Sequence, residues 1–131
     1  MYLELPSVAP GSVDAEECPI RNVLDRIGDQ WSLLVLLTLE RGTLRFTELQ
    51  RAIGDVSKRM LAETLRKLER DGFVRRKVYA SVPPKVEYQL ELLGKSLAVQ
   101  LQPLVKWANQ NHGKVRKARK AYQAPVRIAA L

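Results

Sequence analysis

The sequence predicts a mainly α-helical fold carrying one small β-hairpin. Three observations predict it. Apolar residues recur at helical spacing in several stretches between residues 19 and 111. One window, residues 74–90, switches to β-rich composition that ends in strict alternation. Gly28, Gly42, Gly54 and Gly72 fall where successive helical stretches stop.

The elements follow in order. Residues 1–17 contain Pro and Gly without periodicity and read as a flexible arm. A first helix begins at Pro19, since Pro suits the first helical position, and its apolar stripe is Ile20, Val23, Leu24 and Ile27. The second helix, about Gln30 to Glu40, is apolar nearly all round, which places it at the centre of the domain. Thr47-Glu48-Leu49-Gln50 matches a capping box for a short third helix ending at Ile53. Ser57 caps a fourth helix that runs to Asp71. Its stripe is Leu61, Leu65 and Leu68, and its other face carries Lys58, Arg59, Ala62, Glu63, Arg66, Lys67 and Arg70. Val74–Tyr79 and Val86–Leu90 form the hairpin, with Pro83-Pro84 blocking regular pairing at its tip. A fifth helix covers about Leu92 to Asn111, with a stripe of Leu93, Leu97, Leu101, Leu104 and Ala108. Pro103 predicts a bend in it. Residues 18–113 therefore read as one domain. Residues 114–131 are a basic tail, either mobile or an extension of the helix.

Helix, helix, short helix, helix, hairpin, helix is the order of a winged helix-turn-helix. The third helix braces, the fourth enters the major groove of double-stranded DNA, and the hairpin is the wing. Charge agrees with this reading. The 131 residues carry a formal net charge of +8. Residues 58–85 hold nine bases against three acids, while the rest of the 18–113 body balances at seven against seven. A phosphate-binding face requires such a gathering and a solvated surface does not. The candidate DNA-binding residues are Ser57, Lys58, Arg59, Glu63, Arg66, Lys67 and Arg70 on the fourth helix, with Lys77 and Lys85 on the wing. Arg59 and Arg66 face the right way to reach either a base edge or a phosphate. A winged helix that serves only as a protein-interaction module is the alternative. It would have no reason to load this helix and wing with bases.

Other classes find little support. One His, one Cys and no Gly-rich phosphate loop leave no catalytic set, so the chain does not read as an enzyme. His112 has no partners at metal-ligand spacing, and no cofactor or metal is expected. The longest apolar run, Leu33 to Leu37, is too short to span a bilayer. The N-terminus lacks the pattern of a signal peptide, so the protein reads as cytoplasmic and not membrane-bound.

The sequence resembles the HxlR family of bacterial winged-helix regulators, relatives of the MarR type. The resemblance is carried by Cys18-Pro19, Ile27-Gly28, Trp31, Leu33-Leu34-Val35-Leu36, Gly42, Arg45-Phe46, Glu48-Leu49, Ser57, Leu61, Leu65, Leu68-Glu69 and Asp71-Gly72. The wing string Val82-Pro83-Pro84-Lys85-Val86-Glu87-Tyr88 is the most distinctive piece, and Gly94, Leu97 and Trp107 extend the match. Gln30 departs from the family's usual Lys. Lys58, Ala62 and Thr64 differ from its common choices on the reading helix, so no operator sequence transfers. The resemblance implies a dimeric transcription factor, with an N-terminal cysteine that senses electrophiles or oxidants in some members. Cys18 is the residue in that place. Pro19 at the first helical position puts Cys18 at the N-cap, beside free backbone N–H groups and the positive end of the helix dipole. That setting suits a reactive sulfur; an inert small residue at an interface is the plain alternative. The first and fifth helices carry more apolar surface than one small domain can cover, which predicts a homodimer through them.

Overall fold

The computed structural model describes residues 18–125. The flexible arm expected over residues 1–17, and the last six residues of the basic tail, lie outside the described residues. The elements are α1 (Pro19–Ile27), α2 (Gln30–Leu39), β1 (Leu44–Arg45), α3 (Phe46–Ile53), α4 (Lys58–Arg70), β2 (Val74–Tyr79), β3 (Lys85–Leu90) and α5 (Leu92–Ala121). The described chain divides into two compact units, with the boundary inside α5 between Ala98 and Val99.

The first unit is built around α2. Asp29 caps this helix by accepting from the Trp31 backbone N–H at 2.9 Å and from the buried Ser32 hydroxyl at 3.4 Å. Val35, Leu36 and Leu39 then project into a core completed by Leu49 of α3, Val56, and Leu61, Leu65 and Leu68 of α4. Val74, Tyr88 and Leu90 close it from the sheet. The central place expected for α2 is thus observed on the side of Ser32, Val35, Leu36 and Leu39, while Leu34 on its outer side stays 39% exposed.

Two local expectations are corrected. The Thr47–Gln50 capping box does not form, because α3 begins one residue earlier, with Arg45 as N-cap. Glu48 at the third helical position accepts from the Arg45 backbone N–H at 3.0 Å, and the Gln50 side chain instead donates to the Val56 carbonyl at 3.2 Å. Among the described residues there are three strands rather than two. Leu44–Arg45 pairs antiparallel with β3, placing Leu44 opposite Tyr88, so that the sheet order is β1-β3-β2. A two-residue strand is too short to show a period in sequence.

α4 and the wing are joined by three residues, Asp71 to Phe73. Gly72 adopts φ +83°, and its N–H donates to the Glu69 carbonyl while Phe73 N–H donates to Leu68 O at 2.9 Å. These two bonds make a Schellman stop, which only a residue free to take positive φ accommodates. The turn directs the chain from the end of α4 straight into β2. Arg26 of α1 forms an ion pair with Asp71, tying α1 to the same corner.

α5 continues through Gly113 to Ala121, ten residues beyond its expected end at Asn111. Of the two states open to the tail, residues 114–121 take the helical one. The second unit begins at Val99. Within it, Leu104 and Trp107 are about half exposed, and Arg119 and Lys120 stand in the last turn. Pro103 lies inside the helix and has no N–H to offer the Val99 carbonyl one turn before it.

Candidate nucleic-acid interface

Helical spacing sorts the side chains of α4. Leu61, Thr64, Leu65 and Leu68 are buried. Arg59, Glu63, Arg66 and Arg70, at i, i+4, i+7 and i+11, lie together on the opposite face, flanked by Lys58 and Lys67. All five of the bases on this helix are exposed; Glu63 is half-buried. Ser57 sits at the N-cap, where its hydroxyl accepts from the Met60 N–H at 3.1 Å. It therefore starts the helix that presents the bases. Arg59 is 87% exposed at the side chain, and its contact with Glu63 is a loose 3.5 Å pair across one helical turn. Such a pair contributes little and opens readily for another anion.

The wing is a two-stranded ribbon with two distinct faces. The register pairs Arg76 with Tyr88, Lys77 with Glu87 and Tyr79 with Lys85. Residues directly opposite share a face, and neighbours along a strand alternate. Val74, Arg76 and Val78 therefore share one face with Val86, Tyr88 and Leu90. Buried Val74, Tyr88 and Leu90 make it the core face. Arg75, Lys77 and Tyr79 share the other with Lys85, Glu87 and Gln89. On that outer face the Lys77 and Lys85 ammonium groups stand 5.0 and 5.3 Å from the centroid of the Tyr79 ring. Lys85 also pairs with Glu87 at 3.3 Å. The ring and the carboxylate gather the two wing lysines into one cationic spot.

The two faces explain what sequence reasoning misses. Arg76 points to the α4 side of the wing and, with Arg66, Glu69, Ala62, Leu65 and Tyr88, lines a groove of about 390 Å³. The signal is present in the alternation Val74-Arg76-Val78. It is masked by the run Arg75-Arg76-Lys77, which puts bases on both faces. The structure thus gathers Arg59, Arg66, Lys67 and Arg70 on one helix face and Lys77 with Lys85 on the outer wing face. Cys18 is apart from both. It is the half-buried N-cap of α1, and its side chain makes no capping bond.

The whole arrangement matches a known family. Residues 26–116 fit the HxlR-like helix-turn-helix family model. The chain belongs to the HxlR family. It is 45% identical over 101 residues to the HTH-type transcriptional regulator YtfH of Escherichia coli (strain K12), covering 77% of this chain and 80% of that protein. Among solved structures it resembles the ytfH regulator from Salmonella typhimurium, with a TM-score of 0.72 and 42% identity over 80% of this chain and 94% of that one. The redox regulator HypR in its reduced form gives a TM-score of 0.71 at 36% identity, covering 76% and 98%. As an HxlR protein the chain is a helix-turn-helix transcription regulator rather than an enzyme, and the family implies DNA binding. Among the described residues, no helix is long and apolar enough to cross a membrane, and no group of three or more His, Cys, Asp or Glu side chains could hold a metal.

Proposed function

We propose that the protein works as a homodimer that inserts α4 of each subunit into the major groove of an inverted-repeat operator. The wing holds the flanking backbone. The observation that carries this reading is the face of α4, where Lys58, Arg59, Arg66, Lys67 and Arg70 are all exposed while the leucines behind them are buried. Arg59 stands in the first turn of α4, the end of a reading helix that reaches base edges. Lys67, Arg70 and the Lys77–Lys85 spot are placed for phosphates, and Ser57 and Glu63 support the helix end and the Arg59 side chain. Two-fold symmetry requires half-sites about 34 Å apart or a multiple of that.

Pairing runs through α1 and α5. No residue of α1 is buried, and Ile20 and Leu24 on it are exposed apolar side chains. Leu104 and Trp107 of α5 are likewise exposed. Cys18, at the root of α1, is the switch. With one cysteine per chain, an oxidant can produce only a disulfide between subunits or a small-molecule adduct. Either would alter the spacing of the two reading helices. The likeness to the redox regulator HypR supports this assignment.

The test is recovery of genomic fragments by the purified protein, followed by operator titration with and without diamide. Wild type should release the operator on treatment and Cys18→Ser should not. Unchanged wild-type binding, or equal loss in the Ser variant, would remove Cys18 as the switch.

A further inference from the structure

We propose that the groove between α4 and the wing seats a single phosphodiester of the DNA backbone, clamped from opposite walls by Arg66 and Arg76; this rests on the DNA-binding reading above. Four observations lead there. First, Arg66 enters the groove from the helix and Arg76 from β2, and neither guanidinium is held in an ion pair among the described residues. Second, the groove is backed by closely packed side chains: Leu65 is 1% exposed and Tyr88 9%. Packed protein behind the groove lowers the local dielectric below that of water and strengthens the attraction of both cations for an anion. Third, Ala62 contributes only a methyl group, which leaves the space that a bulky sugar–phosphate needs. Fourth, the charges match. Two guanidiniums and the Glu69 carboxylate sum to one positive charge, the complement of a phosphodiester rather than of a doubly charged phosphomonoester.

The position of the groove names the ligand's source. α4 and β2 are separated by only three residues, so a helix in the major groove and a wing on the adjoining backbone leave one strand to cross between them. That strand must pass the groove. Arg66 is then a phosphate-positioning residue, and base reading falls to the first turn of α4. Arg76, on the face opposite to Lys77 and Lys85, becomes the wing's principal anchor to this strand.

A shared phosphate has a signature that two separate phosphates lack. Salt dependence of affinity should be measured on operator and on random duplex for wild type, Arg66→Ala, Arg76→Ala and the double variant, with thermal unfolding as a check on folding. On duplex DNA the log–log slope falls by about 0.9 for each phosphate that the protein no longer neutralises. Each single variant should lower the slope by about that much on both duplexes, and the double variant by about the same rather than by twice as much. With wild-type protein, operators bearing one neutral methylphosphonate linkage at a time should show one linkage that weakens binding. Neither Arg variant should be sensitive to that linkage. Additive slopes, different linkages for the two residues, a changed base preference in Arg66→Ala, or unchanged slopes would overturn the clamp. If wild type shows no salt-sensitive binding to any duplex, the DNA-binding reading itself fails, and the clamp with it.

Discussion

Gly94 shows how one missing side chain fixes the junction between wing and last helix. A Cβ built there lies 2.1 Å from the carbonyl oxygen of Phe73, which is backbone and cannot swing aside. The first turn of α5 rests directly on the turn that follows α4, where Glu91 N–H also donates to Phe73 O at 2.9 Å. Gly94→Ala should therefore destabilise the protein by at least the ~1–3 kcal/mol typical of overpacking. Gly113, inside the same helix, has nothing within 4 Å of its Cβ position. Gly113→Ala should have the opposite sign, stabilising by up to about 1 kcal/mol through helix propensity. Denaturant midpoints for the two variants would check the contrast; equal effects would contradict it. In sequence the two glycines look alike. Gly94 stands out there only as part of a family resemblance, because the Phe73 carbonyl it must accommodate belongs to a residue far back along the chain.

Among the elements, the helix starts offer the sharpest comparison. Ser57 caps α4 through Met60 N–H, so Ser57→Ala should cost about 1 kcal/mol. Thr47 is exposed and lies inside α3 rather than at its cap, so Thr47→Ala should stay within about 0.5 kcal/mol of wild type. A loss at Thr47 as large as that at Ser57 would contradict the start of α3 at Phe46 and point back to a Thr47–Gln50 cap. The bounds of α4 are legible in sequence because one leucine stripe, one Ser and one Gly all mark them. The start of α3 is displaced by one residue because Arg45, whose backbone N–H donates to the Glu48 carboxylate, carries no capping signature of its own, while its end at Ile53 is as expected. The wing divides in the same way. β3 alternates cleanly and is legible. β2 buries only Val74 and carries charge on both faces, so its register, and with it the place of Arg76, emerges only from the pairing with β3.

For the molecule as a whole, the surplus of apolar surface is the main fact. Ile20, Leu24 and Leu34 in the first unit, and Leu104 and Trp107 in the second, are exposed at 36% or more. Light scattering at micromolar concentration should give the mass of a dimer, and Leu24→Glu should shift it toward monomer. A stable wild-type monomer would contradict pairing through α1 and α5. Composition indicates this surplus, since one small domain cannot cover two such helices. The charge distribution indicates the DNA face equally well, because a +6 excess between residues 58 and 85 survives any detail of packing. Folding adds the separation of those bases into a helix face, an inner wing face and an outer wing face.

Reading of DNA by the exposed side chains in the first turn of α4 is open to a direct measurement. It is the affinity of wild type and Arg59→Ala for a recovered operator fragment and for random duplex at one fixed salt concentration. Arg59→Ala should weaken operator binding by about 1–3 kcal/mol, roughly 5- to 150-fold, with a much smaller effect on random duplex. Operator binding by Arg59→Ala equal to that of wild type would contradict a reading role for this turn.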